Sequence, residues 1–82
     1  MDQQEAFGKV VEIIAPFSKN EDALKTVSLE TAILKDLGVN SARLVDIILA
    51  FEDHFDIEVD DDDADKVQTI GDAVNLIVAK AA

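Results

Sequence analysis

Eighty-two residues suffice for one small domain, so residues 1–82 are expected to fold as a single unit with a modest core. Hydrophobic residues make up 49% of the chain, which excludes a disordered polymer even though 30% of residues are charged. Eighteen acids against seven bases give a net charge of −11, which argues against nucleic acid and anionic lipid as partners and for fast, salt-sensitive docking on basic protein surfaces.

The segment MDQQEAF carries an acid where a signal peptide carries bases, and no apolar run approaches the ~20 residues of a membrane span. The expected location is therefore cytoplasmic, without membrane insertion. Phe7, Val10, Val11 and Ile14 recur at helical spacing, with Asp2 and Glu5 near the start where the helix dipole favours negative charge. A first helix is predicted over residues 3–15, stopped by Pro16, which disfavours helical geometry at Ala15. Residues 16–40 make a connection of roughly 25 residues, long for a helix-to-helix loop. Leu24, Val27, Leu29, Ile33, Leu34 and Leu37 are spread through it as apolar tethers, and Leu29 to Lys35 is expected to form a short helical turn.

Gly38 and Asn40 tolerate left-handed backbone, and Ser41 after them is a favourable helix start. A second helix is predicted from Ser41 to His54, with Leu44, Ile48, Phe51 and Phe55 as its buried stripe. Asp60 to Asp63 suit the first turn of a short third helix ending near Lys66. Thr69 is expected to cap a last helix whose apolar stripe is Ile70, Ala73, Val74, Ile77 and Ala81. No strand signal and no internal repeat stands out.

From local sequence alone Ser41 reads as an N-cap whose hydroxyl accepts a backbone N–H. It is not a hydrolase nucleophile, because Val39-Asn40-Ser41-Ala42-Arg43 lacks both glycines of a nucleophile elbow and the chain has one His. The acidic run from Asp60 to Asp65 misses the glycine and glutamate positions of a calcium-binding loop, which leaves a solvated helix start, and His54 has no partner at metal-ligand spacing. With no Cys there is neither a disulfide nor a thiolate metal site, so any thiol chemistry must come from an attached group. No metal is expected. The second helix is over-apolar for one face: Val45 and Leu49 fall about 100° from the buried stripe, near Asp46, Glu52 and Asp53. Either a small bundle buries that helix on most sides, or the spot is a docking face with carboxylates for steering and an apolar centre for holding.

Asp36-Leu37-Gly38-Val39-Asn40-Ser41, followed by Val45-Asp46 and Phe51-Glu52-Asp53-His54-Phe55, resembles the carrier-serine region of acyl carrier proteins. The likeness extends over nearly the whole chain, to the long pinned loop and the closing helix introduced by Thr69-Ile70-Gly71-Asp72-Ala73. It implies an all-α, four-helix bundle of three main helices and a short third one, with a long loop between helices 1 and 2, and a monomer that is not itself an enzyme. It implies further that a phosphopantetheinyl transferase attaches 4'-phosphopantetheine from coenzyme A to Ser41, and that the arm's thiol carries acyl groups as thioesters. Partner enzymes with basic patches would then use them: acyltransferases, ketosynthases or acyl-activating ligases of fatty-acid, specialised lipid or polyketide synthesis. Asp36, Arg43, Val45, Asp46, Leu49, Glu52 and Asp53 would form the docking surface. Leu44, Ile48, Ile70, Val74 and Ile77 would shelter the acyl chain, at up to about 0.8 kcal/mol per methylene withdrawn from water.

Some residues depart from the family pattern. Asn40 replaces the usual Asp before the serine and Ala42 the usual Leu after it; Arg43 stands where many members have an acid, Leu49 where many have Met, and Val59 where many have Pro. Two of these changes remove or reverse a charge beside Ser41, which weakens the electrostatic match to a standard partner and favours a carrier dedicated to one acyl chain or pathway. An aminoacyl or peptidyl carrier, and an unmodified interaction module of the same fold, are the alternative readings. The strong acidity of the second helix argues against the aminoacyl one.

Overall fold

The computed structural model describes residues 2–81. Helix α1 spans Gln3–Ile14, opened by Asp2, whose Oδ1 accepts the Glu5 N–H at 2.7 Å. It buries Ala6, Val10 and Ile14, while Phe7 and Val11 lie half-buried at the edge of the stripe. The α-helix ends at Ile14, one residue short of the expected bound and ahead of Pro16. The path continues as a 3-10 turn, Ala15–Phe17, in which proline at an early position leaves no required donor unmade.

The long connection holds a helix at a place where the sequence reading located none. Helix α2, Glu21–Lys25, is capped by Asn20, whose Oδ1 accepts the Ala23 N–H at 3.2 Å, with Glu21 and Asp22 at its positive end and Lys25 in its last turn. The helical turn expected over residues 29–35 forms only in part and displaced along the chain, as a single turn in which the Asp36 and Leu37 N–H groups both donate to Ala32 O, at 3.0 and 3.3 Å. Residues 29–33 lie antiparallel to the entry of the last helix: the Ile33 N–H donates to Gln68 O at 2.9 Å, the Ile70 N–H to Thr31 O at 2.9 Å and the Gly71 N–H to Leu29 O at 2.7 Å, around a single bridge between Ala32 and Thr69. Among the tethers, Ile33 and Leu37 are fully buried and Leu24 and Val27 half-buried, but Leu29 and Leu34 are each 38% exposed.

A second clasp joins the two ends of the connection. The Lys19 N–H and the Ser18 hydroxyl donate to Leu37 O at 3.0 and 2.9 Å, and the Asn20 side-chain amide donates to Asp36 O at 3.0 Å. Gly38 follows in the left-handed region at φ 66°, where a side chain would be strained, and Val39 is buried. The chain therefore enters the next helix from a fixed direction.

Helix α3, Ser41–Phe55, buries Ile47, Ile48 and Phe51. The expected stripe is thus corrected by rotation. Ile47 is fully buried, while Leu44 and Phe55 are only half-buried at the margin, because α1 and α5 meet the helix on its Ile47–Phe51 side. Asp56 closes α3 in the left-handed conformation, φ 55°, with the Asp56 and Ile57 N–H groups both directed to Glu52 O. Helix α4, Asp61–Asp65, is a short acidic turn.

Helix α5, Ile70–Ala81, starts from a reciprocal cap: Thr69 Oγ1 accepts the Asp72 N–H at 3.1 Å, and Asp72 Oδ2 accepts the Gln68 and Thr69 N–H groups, each at 3.1 Å. Ile70, Ala73, Val74 and Ile77 are fully buried, mainly against α1. Ala81, expected on the stripe, is exposed at the far end. The architecture is the all-α bundle expected, with α2 added; among the described residues the isolated bridge is the one β pairing.

Candidate functional site

The site is built at the start of α3. Asn40, extended at φ −67° and ψ 137°, caps the helix: its Oδ1 accepts the Ala42 N–H at 2.8 Å and its carbonyl accepts the Arg43 N–H, also at 2.8 Å. The cap expected at Ser41 is therefore corrected by one residue. Asn40 and Ser41 are both good capping residues, and the Gly38 turn delivers Asn40 first in extended geometry. Ser41 becomes the first helical residue, exposed, with a hydroxyl that makes no hydrogen bond among the described residues.

Among the described residues no side chain is hydrogen-bonded to that hydroxyl as a general base would be. His54 lies in the last turn of the same helix, ~20 Å along its axis. Ser41 is thus suited to receive a group from an outside catalyst and unsuited to catalysis of its own.

From Ser41 a surface groove of about 260 Å³ runs between α3 and α4. Leu44, Val45, Ile48 and Leu49 form one wall, Val59 and Ala64 the other, with Glu52, Asp61 and Asp65 also lining it. Glu52 ties the walls together, since its Oε2 accepts the Val59 N–H at 3.1 Å. Of the five residues assigned to chain shelter, Leu44 and Ile48 line this groove. Ile70, Val74 and Ile77 do not; they are fully buried in the core behind it.

The residues assigned to docking also divide. Val45 and Leu49 are 62% and 56% exposed, far more than a bundle that buried α3 on most sides would allow. Asp53 is exposed beside them. Asp46 is half-buried and paired with Arg43 at 3.1 Å, so Arg43 partly neutralises an acid on its own face. Asp36 is exposed, yet its Oδ2 accepts the Ala32 N–H at 2.8 Å and helps shape the loop. Sequence reasoning did not assign Ala64, Asp61 or Asp65 to the site, nor Lys19, which shares a recess with Arg43. Asp61, Ala64 and Asp65 join Ser41, and Lys19 joins Asn40 and Arg43, only through the tertiary fold, and no local pattern marks them. Among the described residues no cluster of His, Asp and Glu is placed to hold a metal ion, and no helix is long and apolar enough to cross a membrane.

The chain is similar to known proteins over most of its length. A family profile described as phosphopantetheine attachment site matches residues 8–77. The chain is 42% identical over 77 residues to an acyl carrier protein of Picosynechococcus sp., spanning 94% of this chain and 93% of that one. It is likewise 42% identical over 73 residues to an acyl carrier protein of Clostridium acetobutylicum, spanning 89% and 92%. Among solved structures, the acyl carrier protein from Enterococcus faecalis superposes with a TM-score of 0.79 at 34% identity, covering 98% of this chain and 99% of that chain.

Proposed function

The chain belongs to the acyl carrier protein family, and from that premise we propose that Ser41 is the residue to which its phosphopantetheine arm is attached. The protein is an acyl carrier of fatty-acid synthesis in the general sense of its family: it holds phosphopantetheine, and its chemistry is done by partner enzymes, among them synthases, acyltransferases and a phosphopantetheinyl transferase. When attached, the arm supplies the thiol that this Cys-free chain lacks.

The observation that carries the assignment is the free, exposed Ser41 hydroxyl at the head of the groove, with Asn40 doing the capping. A phosphate on that oxygen would stand at the positive end of the α3 dipole, a favourable setting for an anion, with the Ala42 and Arg43 N–H groups already taken by Asn40. Leu44 and Ile48 offer apolar contact to the first carbons of a chain folded back into the groove. Ile70, Val74 and Ile77 extend the shelter once α3 and α5 separate. Val45 and Leu49, with Asp46, Glu52 and Asp53 around them, are the docking face for basic patches on ketosynthases, acyltransferases or acyl-activating ligases.

Asn40, Ala42 and Arg43 fit a carrier dedicated to a particular acyl chain or pathway. The Arg43–Asp46 pair supports this, because it withdraws negative charge beside the serine. Two experiments test these assignments. Incubation with coenzyme A and a broad-specificity phosphopantetheinyl transferase, followed by intact-mass measurement, should add one phosphopantetheine to the wild-type chain and none to Ser41→Ala. Arg43→Asp should speed modification by a transferase of a housekeeping fatty-acid system at low salt; an unchanged rate removes the case for specialisation.

A further inference from the structure

Ser41 sits between two surfaces of opposite sign. On one side lies the groove, which three carboxylates and no base help line. On the other lies a recess of about 480 Å³ formed by Pro16, Phe17, Ser18, Lys19, Asn40 and Arg43, which holds two of the chain's seven basic residues and no acid. Both cations are exposed. Arg43 pairs only with Asp46 outside the recess, and Lys19 has no ion-pair partner among the described residues. The recess is also held in place. The Lys19 N–H and the Ser18 hydroxyl are bonded to Leu37 O, one residue before the Gly38 turn that leads into Asn40.

We propose that this recess is a second docking subsite, for acidic side chains of the phosphopantetheinyl transferase that modifies Ser41. The inference rests on the assignment of Ser41 as the attachment residue. Enzymes that act on the end of a long arm can stand away from the helix, but the transferase must bring coenzyme A to Ser41 Oγ itself and so must cover both flanks. In that step the Oγ–H bond is replaced by an O–P bond, the pyrophosphate P–O bond of coenzyme A breaks, and adenosine 3',5'-bisphosphate leaves. The hydroxyl proton passes to a base on the transferase, since His54 is out of reach. A surface negative on one flank and positive on the other fixes the orientation of the encounter, which uniform acidity does not.

The test turns on a sign. Lys19→Glu/Arg43→Glu makes an already acidic chain more negative, so if net acidity governed docking it would bind a basic partner better. The subsite requires the reverse. With the transferase of the source organism and coenzyme A at low ionic strength, the double reversal should raise KM for the carrier about tenfold with kcat retained, and added salt should shrink the difference. The charge-conserving Lys19→Arg/Arg43→Lys variant should keep the wild-type KM, with far-UV circular dichroism verifying the fold of each protein. An unchanged or lower KM overturns the proposal. A fall in kcat at unchanged KM also overturns it, because the cations would then act on the phosphates of coenzyme A. Absence of any mass gain on the wild-type chain removes the Ser41 assignment and this inference with it, whereas a wild-type gain together with a KM that the reversal leaves unchanged or lowers removes this inference alone.

Discussion

A methyl group placed on Gly71 would lie 2.7 Å from the Leu29 carbonyl oxygen and 3.3 Å from Leu29 Cβ. That oxygen already accepts the Gly71 N–H at 2.7 Å, and the strand-like segment carrying it is pinned on both sides of the Ala32–Thr69 bridge. Gly71→Ala must therefore push the loop off the start of α5. Overpacking of this kind costs typically 1–3 kcal/mol, and loss of the hydrogen bond about 0.5–1.5 kcal/mol more. The gain in helix propensity from Gly to Ala, about 0.8–1 kcal/mol, offsets part of this and leaves a net loss of about 1–3 kcal/mol. For a domain of this size that is a fall in Tm of roughly 5–20 °C. Gly8 is the control: it lies in α1 and a Cβ there meets nothing within 4 Å, so Gly8→Ala should raise Tm by about 4–8 °C. Thermal melts of the two variants beside the wild type decide the matter. If Gly71→Ala melts at or above the wild-type temperature, the close approach of loop and helix is not what fixes the connection.

Other substitutions separate the roles of neighbouring residues. Asn40→Ala should lose about 0.5–2 kcal/mol in urea denaturation, while Asn40→Asp keeps the cap and holds or slightly raises stability; equal loss in both would contradict the capping geometry. Ile47→Ala, at a fully buried position, should cost about 2–5 kcal/mol, and Leu49→Ala, at an exposed one, less than about 0.5 kcal/mol while weakening partner binding. Glu52→Ala strands the Val59 N–H and should cost about 1 kcal/mol, with faster amide exchange in α4; unchanged exchange there would mean that Glu52 does not hold the groove wall.

The strongly periodic parts of the fold were legible in the sequence. The stripes of α1 and α5, the Thr69 cap and the short acidic α4 follow from spacing and capping chemistry within a few residues of one another. Helix α2 was missed although Asn20, Glu21, Asp22 and Lys25 carry the signals of a helix start and end, because five residues are too few for an apolar period to show. The phase of α3 was misjudged for the opposite reason: with Leu44, Val45, Ile47, Ile48 and Leu49 all apolar, the pattern has no clear minimum, and only the positions of α1 and α5 select the Ile47–Phe51 face. The antiparallel contact of residues 29–33 with 68–71 depends on parts of the chain far apart in sequence and left no local trace. The serine proposed as the attachment residue is singled out in the sequence by its resemblance to a family pattern. Its freedom from capping is not legible there, because Asn40 and Ser41 compete for the same role and only backbone geometry decides between them.

The central claim is that this chain carries acyl groups on an arm at Ser41. Intact and fragment mass spectrometry of the protein isolated from its own cells, before and after hydroxylamine treatment, tests it most directly. The account predicts a phosphopantetheine on the fragment containing Ser41 in the main species, and acylated forms that hydroxylamine returns to that species by cleaving the thioester. An unmodified chain in cells that make the transferase, or a modification mapped to another residue, would contradict it.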